Sequence, residues 1–190
     1  MADIHRAYHR EGDRYLIEVN LTDPRQLFNS LDPAPFVEKD LDDDAEAYIV
    51  DSVKEFHLDT PLALVIHLPA EAKSALTDAI PAAIRNYFSY RAATTQRKMG
   101  FVIRKGRLAF LFGFTALFAC LTASEMIGKL GDSTFIRIMS EGLLIGGWVA
   151  MWRPMEVLFY DWWPMRWERR VFRKIEAMPM EVRYRGAGPA

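Results

Sequence analysis

LAFLFGFTALFACLTAS, residues 108–124, is an unbroken run of seventeen uncharged side chains. At ~1.5 Å per helical residue it spans roughly 26 Å, close to the hydrocarbon thickness of a bilayer. The mean hydropathy of the whole chain is near zero, so bulk composition hides this segment. A second apolar stretch begins soon after it. GLLIGGWVAMW, residues 142–152, is followed by Arg153, Pro154 and Glu156 and then by VLFY, residues 157–160. Taken from Ile138 to Tyr160 this second stretch is also long enough to cross. The pattern predicts a hairpin of two transmembrane helices, residues 108–127 and 138–160, joined by an external loop over 128–137.

Charge gives the hairpin an orientation. Residues 1–80 carry 17 acidic against 7 basic side chains, and residues 81–190 carry 8 against 17. The acidic half suits water and the basic half suits anionic lipid. This split argues against a general nucleic-acid binder, and no RNA or DNA motif accompanies the basic residues. Arg91, Arg97, Lys98, Arg104, Lys105 and Arg107 precede the first span, and Arg166, Arg169, Arg170, Arg173 and Lys174 follow the second. Between the spans lie only Lys129 and Arg137. By the positive-inside rule both termini face the cytoplasm. The N-terminal residues have no signal-peptide core, so the first span directs insertion.

Outside the hairpin the pattern is that of a small α/β unit. Residues 1–13 are polar and read as a flexible end. RYLIEVNL, residues 14–21, alternates, with Tyr15, Ile17, Val19 and Leu21 on one face, as in a half-buried strand. One short helix is expected near Arg25 to Ser30. From Leu41 to Phe56 the apolar positions follow helical spacing, with acids in the first turn where the helix dipole favours them. LALVIHL, residues 62–68, reads as a buried strand stopped by Pro69. Glu71 to about Gly100 reads as helix, with Pro81 either kinking it or opening a second segment. Residues 161–178 predict an amphipathic helix capped by Asp161 and stopped by Pro179. MEVRY, residues 180–184, predicts a last strand within a C-terminal strand and tail over 179–190. The fold class predicted is therefore a membrane α-helical hairpin with a small α/β (α+β sandwich) cytoplasmic domain. The N-terminal region, residues 14–100, and the C-terminal strand form that domain.

Particular side chains stand out against this plan. Arg153 and Glu156, three apart on one helix, share a face and can neutralise each other at a membrane-embedded ion pair. They either seat the helix at the cytoplasmic end or line an ion path, and a re-entrant segment that never crosses is a third reading. Gly142, Gly146 and Ala150 form a stripe of small residues, as do Ala116, Cys120 and Ser124 in the first span. Such stripes allow close helix packing within the hairpin, or against another copy or membrane protein. Trp162, Trp163 and Trp167 with Arg166, Arg169 and Arg170 suit the lipid headgroup layer as interfacial anchors. Packing of that helix on the cytoplasmic domain is the alternative.

No catalytic, cofactor or metal fingerprint emerges. Asp40, Asp42 and Asp44 have the spacing of the first ligands of a calcium loop, but Ala45 stands at the glycine turn and Asp51 at the bidentate glutamate. The periodic apolar residues say helix start instead. His67, within an apolar strand, reads as a satisfied core histidine. Cys120 is the only cysteine and reads as a small packing residue.

LFNSLDPAPF, DLDDDAEAYIVDS and WRPMEVLFYDWWP (residues 27–36, 40–52 and 152–164) resemble segments of small two-span bacterial inner-membrane proteins of no assigned activity. The resemblance runs from about residue 14 to 183. It implies a bacterial inner-membrane location and this two-span plan, and brings no catalytic residue. The expected role is a non-enzymatic, membrane-tethered interaction, assembly or regulatory subunit. It would meet membrane lipids and a membrane or cytosolic protein partner, or form a homo-oligomer, with no nucleic acid. A small oligomeric ion channel or transporter is the first alternative. A membrane-bound enzyme without a recognisable motif is the second.

Overall fold

A computed structural model describes residues 8–131 and 133–185. Residues 1–7 of the expected flexible end and residues 186–190 of the expected tail lie outside the described residues. The chain divides into two compact units, one of residues up to Thr94 together with Glu168 onward, the other Thr95–Trp167.

The first unit is a mixed four-stranded sheet with helices on one face. Strands β1 (Arg10–Glu11), β2 (Arg14–Asn20), β3 (Leu62–Pro69) and β4 (Met180–Arg185) lie side by side in that order. β1 is antiparallel to β2, while β2, β3 and β4 run parallel. Arg10 and Glu11 thus form a strand within the segment read from sequence as a flexible end. The turn at Gly12, whose φ is +64°, lets the chain fold back onto β2. The alternation in β2 places Ile17 in the core as expected, and β3 is buried along most of its length.

Helix α1 (Asp43–Lys54) starts where the acidic run predicts. Asp42 caps it, its carboxylate accepting from Asp44 N at 3.1 Å. Asp43, Asp44 and Glu46 occupy the first turn and Lys54 the last, in accord with the helix dipole. The aspartate run is therefore a capped helix start. Asp40 donates its backbone N–H to Asp32 Oδ2 at 2.7 Å, which holds the loop ahead of it. The short helix expected near Arg25 is a single 3-10 turn, Pro24–Leu27, closed by a capping box between Asp23 and Gln26.

Helix α2 (Ala75–Gly128) is continuous for 54 residues. Pro81 sits in its second turn, past the first-turn positions whose N–H groups have no helical partner, so the carbonyl of Thr77 loses its usual donor. The helix runs on through Pro81, so no second segment opens there. Ile80, Ile84 and Phe88 of α2, Ile49 and Val53 of α1, and Phe172 and Ile175 of helix α4 (Trp163–Ala177) pack on Ile17, Leu64, Ile66 and Leu68. The rings of Phe88 and Phe172 lie 5.9 Å apart. Lys174 ties α4 to the loop before β3, donating to His57 O at 2.9 Å and Thr60 O at 2.7 Å. Burial pushes its pKa down.

Among the described residues, no helix lies over the other sheet face. Leu16, Ala63 and Val65 form a small buried cluster there. His67 belongs to this face, not to the core. Its partial burial reflects a polar partner, Glu18, and not apolar packing.

The second unit is an antiparallel pair of apolar helices. The later part of α2 packs against helix α3 (Thr134–Glu156), which Ser133 caps through its hydroxyl to Ile136 N. A π-helical stretch, Val157–Asp161, follows α3. Proline at 154 lacks the N–H that would bond the carbonyl of Ala150 and crowds it, so the helix widens nearby. Trp162 Nε1 donates to Leu158 O at 2.7 Å within this stretch.

Candidate functional site

Both long helices are long and apolar enough to cross a membrane. An apolar helix at the core of a water-soluble protein is mostly buried. Here only 6% of an eighteen-residue apolar window in the first and 11% of that in the second is buried. Phe112, Phe114, Phe118, Phe135, Ile145, Trp148, Val149 and Trp152 all face outward. An apolar surface of this extent marks a lipid or protein contact, since single-chain soluble proteins avoid it.

The inward face of the pair is lined by small residues. A Cβ on Gly106 would meet Val157 Cγ1 at 2.8 Å, and one on Gly113 would meet Pro154 Cγ at 2.9 Å. One on Gly147 would meet Cys120 Cβ at 3.0 Å. Ser124 and Ser140 close the seam with a hydroxyl pair at 2.8 Å. Gly106, Gly113 and Cys120 are seven apart, as are Ser140, Gly147 and Pro154. This is the seven-residue repeat of helices packed at a shallow left-handed angle. Of the first stripe, Cys120 and Ser124 face α3, while Ala116 is exposed. Gly142, Gly146 and Ala150 do not pack within the hairpin. A Cβ on either glycine meets nothing within 4 Å, and Ala150 is exposed. The seam uses Gly147 instead. In a Gly-Gly pair, four-residue spacing cannot say which glycine faces inward, and the seven-residue repeat decides it.

At the end of α3, Arg153 Nη1 donates to Glu156 Oε2 at 2.8 Å, as the spacing predicts. Its Nη2 reaches Asp161 Oδ2 at 3.4 Å. Asp161, expected to cap the next helix, ends the π-helical stretch and serves this ion pair. The widened turn is what brings a residue eight positions on back to Arg153. All three side chains are at least one-third exposed on the outer surface of the unit.

The expected anchors separate along α4. Trp163 and Trp167 are exposed, and the Arg166 guanidinium lies 5.8 Å from the Trp162 ring. Arg170 is exposed, and Arg169 is half-buried with its Nε unpartnered among the described residues. From Val171 onward the same helix is core. Periodicity alone carries the stripe through Trp163, Trp167, Val171, Ile175 and Met178 without marking that change of surroundings.

The α/β unit has two polar constellations. On the open sheet face Glu18 bridges two histidines, with His9 Nδ1 at 2.5 Å and His67 Nε2 at 2.9 Å. Both hydrogen bonds hold the Glu18 carboxyl below its ordinary range, and Glu18 raises the pKa of His9. Beside them Arg183 pairs with Glu11 at 2.6 Å and Glu181 at 3.0 Å. On the helical side Glu46 accepts from the Tyr87 hydroxyl and pairs with Arg91 at 2.7 Å. Burial, and then the Glu46 hydrogen bond, push the Tyr87 phenol upward. Only the carboxylates and the strand pattern were visible in sequence, because their partners come from 49, 41 and 172 residues away.

Two open clefts lie on the α/β unit, one of them reaching Tyr87. One, of about 810 Å³ at the carboxyl ends of β2 and β3, is lined by Arg25, Phe28, Phe36, Lys39 and Ser74 among others. The other, of about 620 Å³, is lined by Asp32, Glu38, Asp40, Tyr87 and Tyr90 among others. Among the described residues, neither lining contains a histidine or cysteine. Among the described residues, no three His, Cys, Asp or Glu side chains are grouped to hold a metal ion. Comparison with protein families, with curated proteins and with solved structures finds no match to this chain.

Proposed function

We propose that the chain is an integral membrane protein of the bacterial inner membrane, with both termini and the α/β unit in the cytoplasm. In this reading it acts as a non-enzymatic interaction, assembly or regulatory subunit. The observation that carries the membrane reading is the outward-facing apolar surface of both long helices, with 6% and 11% of their apolar windows buried. The subunit reading is supported by the polar groups of the α/β unit, which are engaged in pairs that hold strands and helices together. The cytoplasmic side rests on eleven basic residues flanking the hairpin against two between its helices. Lipid and a membrane or cytosolic protein are the partners this surface suits. Expressed without a tag, the chain should sediment with membranes and resist alkaline carbonate. Recovery in the supernatant without detergent would falsify the membrane reading.

A second reading, an oligomeric channel or transporter subunit, has one observation in its favour. Arg153, Glu156 and Asp161 lie on the outside of a single hairpin, where an assembly of several copies sets them around an axis. Glu156→Gln then abolishes ion flux in vesicles reconstituted with the full chain. Absence of flux in the unaltered protein removes this reading.

A further inference from the structure

We propose that strand β4 is the docking edge for a second copy of this chain, paired antiparallel about Val182. β4 ends the sheet, with no strand beyond it among the described residues. Leu64 lies opposite Met180 and donates its N–H to Pro179 O at 2.9 Å. In a parallel ladder this sends the backbone groups of residues 179, 181 and 183 toward β3. Those of Met180, Val182 and Tyr184 point to the free edge, which is a template for another strand.

That parity limits how two β4 strands can join. Antiparallel partners exchange hydrogen bonds through residues whose groups point outward, so Met180, Val182 and Tyr184 must meet one another. Centring on residue 181 sets Glu181 against Glu181 of the other copy. Centring on residue 183 sets Arg183 against Arg183. Centring on Val182 sets each Glu181 against the other copy's Arg183, twice by symmetry. Val182 then meets Val182, and Met180 meets Tyr184, on the opposite face. Of the three central registers, only this one has complementary charge at both positions. Glu181 and Arg183 already lie on the open sheet face, with no helix above them among the described residues. Arg183 reaches Glu11 and, within its own strand, Glu181, and the partner's Glu181 would join that ion-pair cluster. A two-fold axis through Val182 joins the two sheets into one of eight strands and covers the β4 edge of each copy.

The test uses the full chain in mild detergent, its mass followed by light scattering corrected for bound detergent across the micromolar range. The unaltered protein should dimerise. Glu181→Arg sets arginine against arginine, and Arg183→Glu sets glutamate against glutamate, so each variant alone should associate about tenfold more weakly or worse. Mixed together, the two variants restore both opposite-charge pairs and should form a one-to-one heterodimer. A misfolded variant cannot produce that rescue, and far-ultraviolet dichroism checks each one. A monomeric parent protein, single variants that dimerise like the parent, or a mixture that stays monomeric overturns the proposal. It does not rest on the membrane reading, whose own test is sedimentation.

Discussion

Gly113 and Gly142 are the same residue type in the same apolar hairpin, and the structure sets them apart. Gly113 faces Pro154 and the carbonyl of Ala150, which would lie 2.9 and 3.3 Å from an added Cβ. Gly142 faces open space. Gly113→Leu should loosen the hairpin by roughly 1–3 kcal/mol through overpacking. Gly142→Leu should leave it unchanged, and thermal unfolding in detergent compares the two. The histidine pair makes a second residue-scale prediction. His9 has a raised pKa, so its bond to Glu18 contributes fully below the ordinary imidazole value and is lost as pH rises through the raised one. Glu18 has a lowered pKa, so its contribution is present above the ordinary carboxylate value and is lost as pH falls through the lowered one. The contact is therefore intact across roughly pH 4.5 to 6.5. Glu18→Gln should lower the His9 midpoint in an NMR titration of its ring protons. An unmoved midpoint would show that the two groups do not meet in solution.

Among the elements, α4 shows where sequence reading stops. Its apolar spacing is plain, as are the alternation of β2, the continuous apolar run of β3 and the acidic start of α1, because each reports the burial of one face locally. What α4 packs against is not local. Val171, Phe172 and Ile175 share one buried cluster with residues as far back as Ile17, which lies 158 positions before Ile175. The tryptophans one turn before them remain exposed. Phe172→Ala should cost about 3–5 kcal/mol, as for other buried aromatic truncations. Lys174 was legible only as one more flanking charge, yet it satisfies two carbonyls, His57 O and Thr60 O. Lys174→Met keeps the stem and removes the donor, so it should destabilise the α/β unit by roughly 1–3 kcal/mol. Urea unfolding followed by tryptophan-independent amide dichroism measures both variants. Equal midpoints for Lys174→Met and the parent would mean that water replaces the lysine.

At the scale of the whole molecule, the charge asymmetry on which the proposed orientation rests is not all available to lipid. Arg91 is committed to Glu46, Lys174 to two carbonyls and Arg173 to Glu176. Arg104, Lys105, Arg107, Arg166 and Arg170 make no ion pair among the described residues and stand nearest the apolar runs. Those five still exceed Lys129 and Arg137 between the helices, and Lys129 is paired with Glu125. The positive-inside bias thus survives once structural charges are set aside. This makes the sidedness a sharp prediction. Cys120 is the single cysteine, so Cys120→Ser gives a background without thiols. On that background Gly131→Cys, in the connector, should react with a membrane-impermeant maleimide in intact spheroplasts. Asp59→Cys, in the loop before β3, should react only after the membrane is opened. Removing charge should act in proportion. Replacing Arg104, Lys105 and Arg107 by glutamine together should yield a mixed population with partial protection at both positions, because the remaining bias is smaller. Labelling of Asp59→Cys in intact spheroplasts, with Gly131→Cys protected, would invert the orientation while leaving both helices in the bilayer. Labelling of both positions from outside would mean that the first helix, which lies between them, never crosses.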